Sequence, residues 1–158
     1  GQYSEYPAAV QGWAQQALPG GSNTSGMEVG LNSERIEYYL GKARNNIDSD
    51  TVVLGSTGKY DIIAETEGYT YFKMSDDVWT SLEKEAGGNY DEIWKVNQQF
   101  IDEQIAANKN ILLSNDPYQG YYFDDGARRF YQREIDYILS KGYTFESTSD
   151  GLWKAVRK

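Results

Sequence analysis

The sequence predicts a single α/β domain in which helices flank a mainly parallel central sheet. Three observations support this fold class. Short apolar runs such as Thr51–Leu54 and Asn110–Ser114 alternate with longer segments of helical periodicity. Strands that are separated by helices are typical of βαβ units, whose sheets are parallel. A chain of 158 residues is long enough for one domain with a substantial core.

The chain is predicted to divide into a flexible linker or N-terminal arm at Gly1–Gly30 and an α/β domain at 31–158. The linker is rich in Gly, Ser, Gln, Asn and Ala, and it contains Pro7 and Pro19. This composition is typical of a loosely attached segment. Within it, the stretch Ala8–Leu18 has some helical character.

The first helix of the domain is predicted at Glu34–Arg44. Ile36, Tyr39 and Leu40 fall on one side of it, and Ser33 stands where an N-cap is needed. The segment is therefore expected to pack one face on the core.

Two strands and a short helix are expected next. Thr51–Leu54 is a β-branched, apolar run and predicts a buried strand, which Gly55-Ser56-Thr57-Gly58 ends as a turn. Tyr60–Glu67 predicts a short helix that ends at Gly68, and Tyr69–Met74 predicts a second strand.

Two helices follow the second strand. Ser75 precedes an acidic pair, which suits an N-cap and a first turn. That helix is expected to stop at Gly87-Gly88. Asn89 and Glu92 have the spacing of a capping box, which predicts a long helix at Tyr90–Asn108.

The last part of the chain is predicted to hold three strands and one helix. Asn110–Ser114 is the third strand, and Asn115–Gly126 is a tyrosine-rich loop. Arg128–Ser140 has the periodicity of an amphipathic helix. Tyr143–Glu146 and Leu152–Val156 read as two final strands, expected to form a hairpin at one edge of the sheet.

The amino-acid composition excludes several classes of catalytic site, metal site and partner. The chain has no histidine and no cysteine, which excludes disulfides, thiolate nucleophiles, Ser-His-Asp triads and histidine or cysteine metal sites. Its net charge of −9 repels a phosphate backbone, so no nucleic acid partner is expected. No membrane span is expected, and Gly1–Gly26 lacks the charged start and apolar centre of a signal peptide.

A carboxylate lies inside the apolar arc of the Arg128–Ser140 helix. At about 100° per residue, Glu134 projects between Phe130 and Tyr131. A carboxylate in such surroundings must be paired, protonated or exposed to a cleft. The alternatives are a catalytic carboxylate at a cleft, a buried ion pair and, if the phase of the helix differs, a solvated side chain. The candidate partners for an ion pair are Arg44, Arg128 and Lys141.

Small polar residues stand at the carboxyl ends of the predicted strands. In open parallel sheets ligands bind beyond these ends, although the same residue types are also common turn formers. The candidate substrate-binding residues are Gly55, Ser56, Thr57, Ser114 and Asn115. Asn97 projects into the apolar arc of the long helix, where it either ties a neighbouring loop or contacts the ligand. The loop aspartates match no calcium-loop pattern, and no metal site is predicted.

The order of several short motifs resembles a known module. They are VVLG from Val52, YTYF before Trp79, N-x-x-F-I-D from Asn97, ILLSNDP from Ile111, and E-x-x-Y-x-x-x-x-G-Y from Glu134. In this order they resemble the C-terminal toxin module of bacterial polymorphic and contact-dependent toxins, over 50–158. The resemblance implies a domain that is secreted or delivered by a larger protein, acts in the target-cell cytoplasm and has a cognate immunity protein.

A more distant resemblance concerns activity. Trp79 in D-V-W-x-S-L, Trp94 followed by Lys95, and Glu134 downstream resemble the two tryptophans and the glutamate of ADP-ribosyl cyclases. The resemblance implies cleavage of the nicotinamide–ribose bond of NAD(P) without a cofactor. It makes Glu134 the catalytic carboxylate and places Trp79 and Trp94 on either side of the nicotinamide. The disulfides of the vertebrate members are absent here.

Two other functions remain open from the sequence. A toxin nuclease would need a basic groove, for which Arg128, Arg129 and Arg133 are the candidates, and the net charge of −9 opposes it. A non-enzymatic immunity or adaptor module would use its acidic, tyrosine-rich surface to bind a partner.

Overall fold

The computed structural model describes residues 30–158, so the predicted linker, apart from Gly30, lies outside the described residues. No helix in this part of the chain is both long and apolar enough to cross a bilayer. In chain order the elements are α1 (Ser33–Ala43), β1 (Arg44–Asn45), β2 (Thr51–Leu54), α2 (Tyr60–Glu67), β3 (Tyr71–Phe72), α3 (Asp76–Glu85), α4 (Tyr90–Ala106), β4 (Asn110–Leu113), α5 (Phe130–Ser140), β5 (Tyr143–Ser147) and β6 (Trp153–Arg157).

The fold is mixed α/β, as predicted, but the sheet is not mainly parallel. The larger sheet has the order β2-β4-β6-β5, in which only β2 and β4 are parallel. The β4–β6 and β6–β5 pairs are antiparallel. The last two strands are joined by a tight turn rather than a helix, which makes them a hairpin. This confirms the predicted hairpin, with β5 at the edge, while β6 pairs with β4.

The second predicted strand is shorter than expected. Of Tyr69–Met74, only Tyr71–Phe72 forms a strand, β3, and it pairs with β1 in a small antiparallel sheet. Thr70 forms a parallel bridge with Val52, and the N–H of Val53 donates to the carbonyl of Thr70 at 3.0 Å. The segment therefore continues the larger sheet beyond β2 for one residue before it turns to β1.

Two helix starts differ in detail from the sequence prediction. Asn32, not Ser33, is the N-cap of α1, because its side chain accepts the backbone N–H of the third helical residue. Asn89 caps α4 as predicted. The carboxylate of Glu92 accepts the N–H of Leu31 instead of closing the capping box. It therefore ties the start of the described chain to α4.

Helices α4 and α5 cover one face of the larger sheet and run parallel to each other. The Tyr90 ring lies 5.1 Å from the Phe130 ring near their starts, and the Tyr137 hydroxyl donates to Asp102 near their ends. Because a short connection joins α4 to β4, the start of α4 lies near the end of β4. Both helices therefore begin near the carboxyl ends of β2 and β4. This end of the sheet, as distinct from its edge strands, is called the sheet edge below. Helix α2 packs on the opposite face, against Val53.

Gly41 occupies an exposed position within α1 where a methyl group would meet no atom within 4 Å. Glycine in a helix costs conformational entropy relative to alanine. We therefore expect Gly41→Ala to raise the free energy of unfolding by about 0.5–1 kcal/mol. Urea unfolding followed by circular dichroism measures the change, and a destabilised variant would contradict the description of α1.

Candidate functional site

The turns after β2 and β4 are in close contact. Leu54 and Leu113 are paired in register, and the N–H of Ser114 donates to the carbonyl of Leu54 at 2.9 Å. Gly55 is buried against this junction, and a Cβ atom added to it would lie 1.8 Å from the Ser114 hydroxyl oxygen. Only glycine fits here, because the hydroxyl occupies the space of a side chain. Two predicted site residues are thus brought into contact.

Asn115 connects the two turns to each other and to α5. Its side-chain oxygen accepts the N–H of Ser56 at 2.9 Å and the hydroxyl of Ser114 at 2.6 Å. Its backbone carbonyl accepts the hydroxyl of Tyr131 at 2.6 Å. From the sequence, Tyr131 is recognisable only as part of an apolar arc, and this contact is not predictable. The only available signal was its helical proximity to Glu134.

The turn after β2 offers a hydroxyl to a ligand but a poor site for a phosphate. Within residues 30–158, the hydroxyl oxygen of Thr57 is buried and has no hydrogen-bond partner. At the start of α2, however, the Asp61 carboxylate already accepts the N–H of Gly58 at 2.8 Å and pairs with Lys73 at 2.7 Å. Burial alone would raise the pKa of Asp61, but these two donors lower it. A negative charge thus already occupies the Gly58 amide, which an anion bound at this turn would need.

Glu134 is buried and contacts Asn97. Its side chain is 1% exposed, that of Asn97 is 0% exposed, and the Asn97 amide donates to the carboxylate at 3.0 Å. Burial raises the pKa of Glu134, and the hydrogen bond from Asn97 acts in the opposite direction. Asn97 thus contacts the candidate catalytic carboxylate, and its predicted role at a ligand stays a prediction.

Two of the cations proposed as ion-pair partners of Glu134 are engaged elsewhere. Arg44 pairs with Glu103 at 2.5 Å, and Arg128 pairs with Asp136 at 2.9 Å. These pairs lie at or near the surface, where ion pairs contribute little to stability. The buried carboxylate is therefore not explained by either arginine.

A chain of contacts joins Glu134 to the sheet edge. Tyr131 lies one helical turn before it, and the negative charge of Glu134 adds to burial in raising the pKa of the Tyr131 phenol. The same phenol donates to the Asn115 carbonyl. Asn97 has a side-chain oxygen that is buried and lacks a hydrogen-bond partner in the described part of the chain. The buried carboxylate and its amide partner are thus linked to the two turns through Tyr131 and Asn115.

The two tryptophans occupy different environments. Trp79 on α3 is 1% exposed and belongs to the core. Trp94 is half-buried, with its ring 6.1 Å from that of Tyr137, and it lines an outer pocket of about 250 Å³ between α4 and α5. The lining of that pocket does not include Glu134. The expectation that both rings flank a ligand at Glu134 stays a prediction.

Comparisons of the chain with protein-family models, curated proteins and solved structures gave no match. Within residues 30–158, no group of three or more carboxylates is arranged to hold a metal ion.

Proposed function

We propose that the domain is an antibacterial toxin module, delivered to the cytoplasm of a target cell, that cleaves the nicotinamide–ribose bond of NAD(P). The observation that carries this proposal is the buried Glu134 carboxylate with the Asn97 amide hydrogen-bonded to it. A single desolvated carboxylate is the group that this reaction needs most, and histidine and cysteine are absent from the chain.

The reaction is a glycosidic cleavage with a positively charged transition state. The bond between the ribose carbon and the ring nitrogen breaks, its electron pair goes to the nitrogen, and nicotinamide leaves as a neutral molecule. Water then bonds to the ribose carbon and gives up a proton. The Glu134 carboxylate stabilises the positive charge on the ribose, an effect that is strong where water is excluded. Asn97 holds the carboxylate in place.

Two buried polar side-chain atoms suit the polar part of this substrate. The Thr57 hydroxyl and the Asn97 side-chain oxygen are buried and lack partners in the part of the chain that the structure describes. Both can accept a hydrogen bond from a ribose hydroxyl. Buried polar groups without partners are uncommon in stable structures and are often found at binding sites.

Access to the carboxylate requires movement. Because Glu134 is 1% exposed, a substrate reaches its oxygens only after the covering groups are displaced. The α5 side of the site is fixed by Tyr131 and Asn115, whose hydrogen bond is short.

The test is to incubate the purified chain with NAD, and separately with NADP, and to follow free nicotinamide by chromatography. We expect nicotinamide to accumulate in proportion to protein concentration. If NAD persists while RNA is degraded, the domain is a nuclease. If neither substrate changes and cytoplasmic expression does not harm bacteria, a non-enzymatic binding module replaces the proposal. A cognate immunity protein is expected to suppress both nicotinamide release and toxicity.

A further inference from the structure

Tyr118 is the most exposed large apolar side chain in residues 30–158, at 61%. It lies in the loop after β4, and its ring packs edge-on against two other aromatic rings. The centroid of Trp153 is 5.5 Å away and that of Phe145 is 6.1 Å away. The three rings form an aromatic platform, defined by Tyr118, Trp153 and Phe145, with Tyr118 open to solvent.

The loop that carries Tyr118 is held by hydrogen bonds. The side chain of Asp116 accepts the N–H of Tyr118 at 2.9 Å, and the carbonyl of Asp116 accepts the hydroxyl of Tyr121 at 2.7 Å. The residue before Asp116 is Asn115, which joins the two turns of the candidate site. An exposed aromatic ring that is already fixed loses little conformational entropy when it binds a ligand.

The platform lies at the same sheet edge as the candidate site. Trp153 begins β6 and pairs with Leu113, the last residue of β4. Neighbouring strands are about 4.8 Å apart, so Trp153 stands about 10 Å from the turn after β2, on the far side of β4. Ser114 and Asn115 lie between them. The edge therefore presents, in order, a hydroxyl-bearing turn, an amide and an aromatic platform.

We propose that Tyr118, supported by Trp153, stacks the adenine ring of the dinucleotide. This inference rests on the proposed function, because it places the adenosine half of NAD(P) beside the cleavage site. A flat, uncharged base stacks favourably on an aromatic ring, and stacking does not require a positively charged surface. The acidic charge of the chain is thereby compatible with a nucleotide ligand. The enzyme is expected to prefer dinucleotides over nicotinamide mononucleotide, which has no adenine.

The experiment compares Tyr118→Ala with Tyr118→Phe and with Tyr122→Ala. Tyr122 is a matched control, since it belongs to the same loop and is 50% exposed. For Tyr118→Ala we expect KM for NAD to rise about tenfold, the effect of losing one base–aromatic stack, with kcat unchanged. The KM for nicotinamide mononucleotide should not change. Tyr118→Phe keeps the stacking ring and loses only the 3.4 Å hydrogen bond from its hydroxyl to the Phe145 carbonyl, so it should restore most of the NAD binding that Tyr118→Ala loses. Tyr122→Ala should behave as the wild type, and thermal melting verifies that each variant folds.

Binding of AMP, measured by calorimetry, separates this inference from the proposed function. If AMP binds the wild type and Tyr122→Ala but not Tyr118→Ala, the platform holds adenine even if NAD is not cleaved. If NAD is cleaved and Tyr118→Ala keeps the wild-type KM, the platform proposal is wrong and the proposed function stands. An equal rise in KM for NAD and for nicotinamide mononucleotide also overturns it, since the loss would then not concern adenine.

Discussion

Replacing Glu134 with glutamine is expected to reduce nicotinamide release from NAD by about 10²–10³-fold, the loss typical of removing one electrostatic group from a preorganised site. Glutamine has the same shape as glutamate and can accept the hydrogen bond from Asn97, which is 3.0 Å long in the wild type. It cannot carry the negative charge that stabilises the ribose cation. The loss should therefore appear in kcat, and steady-state kinetics measures it.

Asp136→Asn is the matched control for this variant. Asp136 lies on the same helix, but its side chain is 38% exposed and pairs with Arg128 near the surface. Removing its charge should leave kcat within about twofold of the wild type, since surface pairs contribute little. If Glu134→Gln retains wild-type kcat, or if Asp136→Asn loses as much, the assignment of Glu134 as the catalytic carboxylate fails.

The pH dependence of stability shows whether Glu134→Gln has changed the fold. Burial raises the folded-state pKa of Glu134 above its usual 4.5. Below pH 4.5 the carboxyl is protonated in both states. Above it the unfolded chain loses the proton first, so the free energy of unfolding of the wild type falls as pH rises towards the folded-state pKa. Glutamine has no such proton, and Glu134→Gln should gain stability relative to the wild type as the pH rises above 4.5, until the folded-state pKa of Glu134 is passed.

Urea unfolding at several pH values measures this difference. Parallel stability curves for the two proteins would mean that the carboxylate is not desolvated in solution. A variant that is unfolded at every pH would instead assign Glu134 a structural role. Low activity combined with a rising relative stability is the result that supports catalysis, because a damaged fold cannot produce it.

Gly55→Ala is expected to damage both stability and activity. The added methyl group would stand 1.8 Å from the Ser114 hydroxyl oxygen and 2.8 Å from the side-chain oxygen of Asn115. Relieving this overlap requires the two turns to separate, which breaks the hydrogen bonds that Asn115 makes. Overpacking of this kind costs about 1–3 kcal/mol in the free energy of unfolding. We expect nicotinamide release to fall as well, because the turns carry Thr57 and Ser114.

Gly41→Ala provides the control for the same chemical change at a site with free space. Gly41→Ala should stabilise the protein and leave nicotinamide release unchanged. Gly55→Ala should lower both the free energy of unfolding and nicotinamide release. Denaturant unfolding and the nicotinamide assay are run on both variants. Wild-type stability in Gly55→Ala would show that the turns after β2 and β4 are not in contact, and the site described at this sheet edge would have to be abandoned.

The burial of Glu134 could be predicted from the sequence because helical phase is a local property. Once the segment 128–140 is a helix, the position of each side chain around its axis follows from 3.6 residues per turn. The contact between Gly55 and Ser114 could also be predicted in part, since each residue directly follows an apolar strand. The hydrogen bond between Asn97 and Glu134 was not, because it joins side chains that are 37 positions apart on two helices.

The tryptophans show the limit of this reasoning. Trp79 and Trp94 both fall on helices, and each has the neighbours that helical periodicity predicts. Whether two such rings approach one ligand depends on how three helices pack against the sheet. In the structure Trp79 is a core residue, and Trp94 lines an outer pocket with Tyr137. The spacing of motifs along the sequence does not report how these helices pack against one another.

In the fold, too, some features follow from local sequence and others depend on tertiary contacts. Apolar periodicity, caps and glycine stops were sufficient for the kind and order of helices and strands from Thr51 to Arg157, because each of these signals acts within one or two turns of backbone. They did not predict strand β1 at Arg44–Asn45, which forms only by pairing with the distant β3. The direction of strand pairing was settled by contacts between distant segments. Strand β6 pairs with β4 as well as with β5, and in this position Trp153 and Ala155 pack against the core while both neighbouring strands gain backbone hydrogen bonds.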